Sequence, residues 1–413
     1  MKFLTFVLSM AFMGTAIGSP LHLDLEMTSA EYAELLKKQA KANTNKSKTS
    51  DDPAISNAIK IGERLSKWIA KVNTGRTTET AIRLTSATTR RGIPIDKPDM
   101  YSPSIIKKDT ETALSELPKE MRDVLVSNDE LPGTIPMDDE TFITLARKVD
   151  RNYQSAARYK SIDQYRYYYV QAASRDVRGY YYLTQNKIGE NELQDTRMIN
   201  PSQVSSIKEA LKIICLNSVG DMSKCKKEVE TAFTKNKLAG LYNKYIARAK
   251  KTWDNFFVIP VDARRQDIEW STNTARVPFN TPEIPKFIPY LKNNIEDEFR
   301  WGNWGLKIIF GSFANGPLLK FEPGVVPHVN GLGGNEIIMD SNQPIEEYES
   351  QWTIRHEFGH VLGLPDCYHE FYDTTANAYV NYQLDITDLM CSRAGNMNER
   401  IFKELKDAYD RNL

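Results

Sequence analysis

His356, Glu357 and His360 carry the chemistry most plainly written in this chain, in the run Arg355-His356-Glu357-Phe358-Gly359-His360. The two histidines stand four apart, so on a helix their rings lie one above the other on the same face. Two neutral imidazoles so placed can bind one Zn²⁺, and the carboxylate of Glu357, beside the first ligand, can reach a water at an open coordination position. The sequence holds only five histidines, and three of them fall between positions 356 and 369, a crowding that sets the pattern apart from two surface histidines on an ordinary helix. Gly363 follows His360 by three residues, and Asp366 follows Gly363 by three more. A glycine there can end the helix in a left-handed turn, and the next polar side chain can return to the same ion. Asp366 is the expected third ligand. His369 is the alternative, and an acidic ligand from a later helix is a third arrangement. Three protein ligands leave a fourth position for water, as in a catalytic rather than a structural zinc.

The run HEFGHVLGLPD resembles the metzincin metallopeptidase motif in its HExxHxxGxxD variety, and the secreted snapalysin-type bacterial peptidases are the nearest named group. The resemblance implies one catalytic Zn²⁺ held by His356, His360 and Asp366. It also implies a peptide-bond hydrolase in which Glu357 is the general base and then protonates the leaving amine. Metzincins place a methionine turn beneath the zinc. The segment Asp388-Leu389-Met390-Cys391-Ser392 fits that place and makes Met390 the floor of the site, packing without coordinating. Some members use a tyrosine two residues after the methionine near the transition state. Ser392 stands there in this chain, so Tyr368, Tyr379 and Tyr382 are the tyrosines that could approach instead. Residues 330–340 (NGLGGNEIIMD) resemble the glycine-rich loop and strand that precede the active-site helix in matrixins. That implies an edge strand on which extended substrate pairs by main-chain hydrogen bonds. The matrixin histidines for a second, structural zinc are missing there.

These residues need a frame to hold them. The apolar runs 256–261, 306–310, 318–321 and 337–339 read as strands, and 284–299, 352–364 and 397–412 as helices. Residues 251–413 are thus expected to form an α+β domain, and the resemblance makes it zincin-like, with a twisted mixed sheet, an active-site helix and a C-terminal helix. Residues 54–250 read as a mainly α-helical domain dense in tyrosine, from Tyr153 to Tyr182. The rings suit a helical core better than a stacking platform. That domain could be a prosegment that inhibits the cleft intramolecularly, or a binding domain.

Composition bounds the rest. A chain of 413 residues with 41% hydrophobic and 26% charged content is globular, and 54 Lys+Arg against 54 Asp+Glu exclude a globally basic nucleic-acid binder. Residues 1–18 have the basic start, apolar run and small-residue cut of a signal peptide, and the polar residues 19–53 read as a flexible segment. No second stretch is apolar enough to span a bilayer, so no stable membrane anchor is expected and the protein is expected to be secreted, extracellular or periplasmic. In such a compartment four cysteines form disulfides, most economically Cys215 with Cys225 and Cys367 with Cys391, the other two connectivities staying open. A Cys367–Cys391 bridge would tie the third-ligand loop to the methionine turn. A protein or peptide is the expected substrate. An inactive metal-retaining adhesion module, or a zinc hydrolase acting on cell-wall peptides, are the competing readings.

Overall fold

The computed structural model describes residues 52–77, 80–84, 92–322, 325–341, 348–392 and 395–410. The expected signal peptide and nearly all of the expected flexible segment lie outside these residues. Asp52 and Pro53, at the end of that segment, open a helix. The Asp52 carboxylate accepts from the Ala54 and Ile55 N–H groups at 2.8 and 3.3 Å, and Pro53 takes the first turn.

Helix α1 (Pro53–Asn73) leads to a short strand β1 (Asp99–Tyr101) and helices α2 (Pro103–Glu116), α3 (Lys119–Val126) and α4 (Asp139–Ile162). In α4 the buried positions Phe142, Ala146, Val149, Tyr153, Ala156 and Tyr159 recur every three or four residues and face α1. Trp68 of α1 meets Phe142 edge-on with ring centroids 5.1 Å apart. Helices α5 (Arg166–Ala172), α6 (Arg178–Gln185), α7 (Pro201–Val219), α8 (Met222–Thr234) and α9 (Leu238–Asp254) follow. Around Leu183, Leu211, Ile214, Val229 and Leu241 they build a second core. Gly220, at φ +69°, ends α7 in the left-handed conformation, and Cys215–Cys225 bridges α7 to α8. The tyrosines divide. Tyr153 and Tyr159 fill cores, whereas Tyr165, Tyr167 and Tyr168 are exposed.

The second half contains β2 (Glu269–Trp270), β3 (Thr274–Asn280), α10 (Phe287–Glu298), β4 (Arg300–Trp301), β5 (Trp304–Gly311), β6 (Leu318–Glu322), β7 (His328–Val329) and β8 (Glu336–Asp340). Helix α11 (Tyr348–Val361), strands β9 (Tyr368–Asp373) and β10 (Ala378–Gln383) and helix α12 (Glu399–Tyr409) complete it. Strand β3 runs parallel to β5, and β6 parallel to β8, with β7 antiparallel on the other side of β8. The Asn280 N–H donates to the Pro317 carbonyl at 2.8 Å and joins the end of β3 to the start of β6. Alternation buries Ala275, Val277 and Phe279 of β3 and Trp304, Leu306 and Ile308 of β5 against Leu291 and Ile295 of α10 and Phe358 of α11. The class is α+β, as expected.

Three expectations need correction. The run 256–261 forms no strand. Pro260 has no N–H to give a ladder, the Ile259 N–H is taken by Glu404 Oε1 at 2.6 Å, and residues Val261–Ala263 form one 3₁₀ turn. Strand β8 is not an edge, because β6 and β7 flank it. Nor is residue 250 a clean boundary. Strand β1 pairs antiparallel with β10, giving a sheet of order β1-β10-β9, and one core joins Ile55, Tyr101, Ile106 and Tyr159 to Tyr372 and Tyr379.

Candidate metal centre

Helix α11 is buried on all sides from 350 to 361. Its polar residues therefore need partners inside the protein. Arg355 finds them on α10, its Nε donating to Asn294 Oδ1 at 2.6 Å and its Nη1 lying 3.3 Å from Glu298 Oε2. The helix ends at Gly363, φ +81°, where the Gly363 N–H reaches the His360 carbonyl at 2.9 Å and the Leu364 N–H reaches the Gly359 carbonyl at 3.0 Å. A methyl group at 363 would stand 2.8 Å from the Ala263 carbonyl oxygen, so the turn needs glycine for space as well as for φ. The Gly333 N–H of the glycine-rich loop also donates to the His360 carbonyl, at 2.8 Å.

That turn returns the chain to the two histidines. His356 Nε2 and His360 Nε2 each lie 3.1 Å from Asp366 Oδ1, and one ligand atom from each of the three residues falls within 4.8 Å of the others. The opposite ring nitrogens settle the tautomer. His356 Nδ1 is 2.8 Å from the Leu389 carbonyl and His360 Nδ1 is 2.8 Å from the Leu364 carbonyl. A carbonyl only accepts, so each Nδ1 carries the proton and a neutral ring turns its Nε2 lone pair inward. Two imidazole lone pairs and a carboxylate oxygen meeting at one point need a cation between them. Burial opposes protonation of His360, yet Asp366 raises its pKa to about 9. Burial also opposes ionisation of Asp366, but the two imidazoles hold its carboxyl far below the usual range. A donor set of two nitrogens and one oxygen fits tetrahedral Zn²⁺, which would displace that proton.

Glu357 is 3% exposed, and its Oε2 is buried with no hydrogen-bond partner. A buried carboxylate oxygen without a partner is uncommon, and this one stands close enough to His360 to act on its charge. Met390 is fully buried against Gly359, where a methyl would come within 2.3 Å of its Sδ. Asp388 holds the methionine turn. Its Oδ1 accepts from the Met390 N–H at 2.9 Å, while its Oδ2 accepts from Arg400 Nη2 at 2.6 Å and Asn398 Nδ2 at 2.7 Å. Cys367 and Cys391 are bridged, and the Cys367 N–H donates to the Met390 carbonyl at 3.1 Å, so Asp366 and Met390 are tied by covalent and hydrogen bonds between their neighbours.

His369, the alternative third ligand, is not at this centre. It lies on β9 facing the helical half, with Nε2 3.0 Å from the Ala172 carbonyl and its ring against Phe256 and Phe371. Burial lowers its pKa to about 4 and keeps it neutral. Of the three tyrosines, Tyr382 donates to Asp176 Oδ1 at 2.8 Å and Tyr379 packs among Tyr101, Tyr159 and Tyr169. Tyr368 alone flanks the centre, its ring 6.2 Å from that of His356, and burial together with the Asp366 charge pushes its hydroxyl pKa up.

One cluster near the centre was not read from the sequence. Glu370 of β9, 7% exposed, accepts from Arg158 Nε at 2.9 and 3.1 Å, from Arg158 Nη2 and from the Tyr101 hydroxyl. An acidic residue inside the aromatic run Tyr368-His369-Glu370-Phe371-Tyr372 signals a buried charge in need of a partner, but not where the partner lies. Compared with protein-family models, curated proteins and solved structures, the chain matches none.

Proposed function

We propose that the protein is a secreted zinc-dependent endopeptidase of metzincin type, its catalytic domain zincin-like. The observation that carries this reading is the convergence of His356 Nε2, His360 Nε2 and Asp366 Oδ1 beside the unpartnered, buried Glu357 Oε2. The order of strands, active-site helix, methionine turn and C-terminal helix supports it, and two disulfides support an oxidising compartment. His356, His360 and Asp366 would hold a Zn²⁺, which would supply Lewis acidity there. Glu357 takes the proton of the attacking water and passes it to the leaving amine. Nδ1–H bonds to the Leu389 and Leu364 carbonyls keep the two imidazoles in the metal-binding tautomer. Among the described residues no helix is long and apolar enough to cross a membrane, and the partner this reading calls for is a protein or peptide chain.

The test is metal analysis joined to chelator-sensitive hydrolysis of denatured casein. Glu357→Gln should retain stoichiometric zinc while losing on the order of 10²-fold or more in rate, the usual share of a general base. Full activity in that variant overturns the reading. Activity on peptidoglycan and none on casein would move the substrate to cell-wall peptides.

A further inference from the structure

We infer that Arg158 and Tyr101, both from the helical half, are positioning residues for the metal centre, acting through Glu370. The helical half is then a lasting part of the catalytic unit and not a prosegment to be shed. The consequence for zinc rests on the metal-centre reading above; the clamp on the strand does not.

The chain leaves Asp366 along β9, and two anchors hold its first residues. One is the Cys367–Cys391 bridge. The other is Glu370, four residues after Asp366, whose buried carboxylate is gripped by the fork of Arg158 on α4 and by the Tyr101 hydroxyl on β1. Between the anchors stands Tyr368, beside the His356 ring. A bidentate guanidinium on a buried carboxylate fixes direction as well as distance, so the clamp sets the line of β9 next to the third ligand.

The remaining contacts of this sheet point the same way. His369 Nε2 bonds to the Ala172 carbonyl, Tyr382 to Asp176 and the Val177 N–H, and β1 covers the open side of β10. Shedding residues 52–250 would strip Glu370 of both its partners and would bare Tyr372 and Tyr379. Breaking one side of a buried ion pair is among the more costly single losses a fold can suffer. A segment that supplies this counter-charge and a paired strand is part of the frame that holds β9.

The experiment uses the full chain. Arg158→Met, Arg158→Lys and Tyr101→Phe are compared with wild type by hydrogen–deuterium exchange over residues 366–373 in metal-free protein. Zinc affinity is measured by competition with a chromogenic chelator. Tyr101→Phe keeps the ring and the fold should Arg158→Met fail to fold. We expect exchange in β9 at least about tenfold faster in Arg158→Met, and zinc binding weakened about three- to tenfold, below the range for a directly hydrogen-bonded ligand partner. Tyr101→Phe should move both the same way by less, and Arg158→Lys should recover part of the loss. Unchanged exchange in folded Arg158→Met overturns the clamp. Faster exchange with unchanged zinc affinity overturns the positioning role. An active, zinc-bound species that begins after residue 250 overturns the lasting association. Wild-type protein that takes up no zinc overturns the metal-centre reading instead, and the exchange data then still decide whether Arg158 holds β9.

Discussion

Gly359→Ala puts the methionine floor to a direct test. A methyl there would sit 2.3 Å from Met390 Sδ and 2.9 Å from Cε, against an ordinary contact of about 3.8 Å. The thioether is flexible, but Met390 is fully buried, so its neighbours must take up a displacement of roughly 1.5 Å. Overpacking of this kind costs about 1–3 kcal/mol. Against it stands the helix preference for alanine over glycine, about 1 kcal/mol. The net expectation is a destabilisation of about 1 kcal/mol. Met390→Ala should cost about 2–5 kcal/mol by opening a cavity beneath Gly359. In that background the conflict is gone, so Gly359→Ala should stabilise by about 1 kcal/mol. The sign of one substitution thus reverses with the residue at 390. Denaturant unfolding of the four proteins of the cycle measures it. Gly359→Ala stabilising the wild-type chain would refute the packing argument, since an alanine does that only where nothing lies beneath it.

Other substitutions extend the test. Replacing Cys367 and Cys391 together by serine frees a loop of sequence separation 24, which should cost about 3–4 kcal/mol and weaken zinc binding; an unchanged melting temperature would refute the structural role. Gly363→Ala forces an L-residue to φ +81° against the Ala263 carbonyl and should cost about 1–2 kcal/mol or more, read by thermal unfolding. His369, with its pKa lowered by burial from 6.5 to about 4, takes up its proton more readily in the unfolded chain. Its contribution is therefore fully present above pH 6.5 and is lost as pH falls toward 4, up to about 3 kcal/mol. His369→Gln should flatten the stability curve in that window relative to wild type, and an identical slope would count against its buried, neutral state.

The candidate centre was legible because its parts are local. His356, Glu357, His360, Gly363 and Asp366 lie within one helix and its turn, where spacing alone dictates who faces whom. Met390 was legible only through resemblance, and its place under Gly359 is a fact of packing. His369 was equally near in sequence, yet it belongs to a strand, where orientation is set by pairing with β10 and by the face covered by α5. The strands β9 and β10 went unread for that reason. With both faces covered, they lack the alternation that marks a half-exposed strand. Strand β3 was hidden by Pro278. The Arg158–Glu370 pair spans 212 residues, beyond any local pattern.

The β1–β10 ladder pairs Asp99–Tyr101 with Tyr379–Asn381, and beside it the Ile93 N–H donates to Gln383 Oε1 across 290 positions. Closing so wide a loop is entropically costly and slow, so this ladder belongs among the last contacts of the folding reaction. A chain emerging from its N-terminal end would hold β1 unpaired until residues 378–383 had followed it.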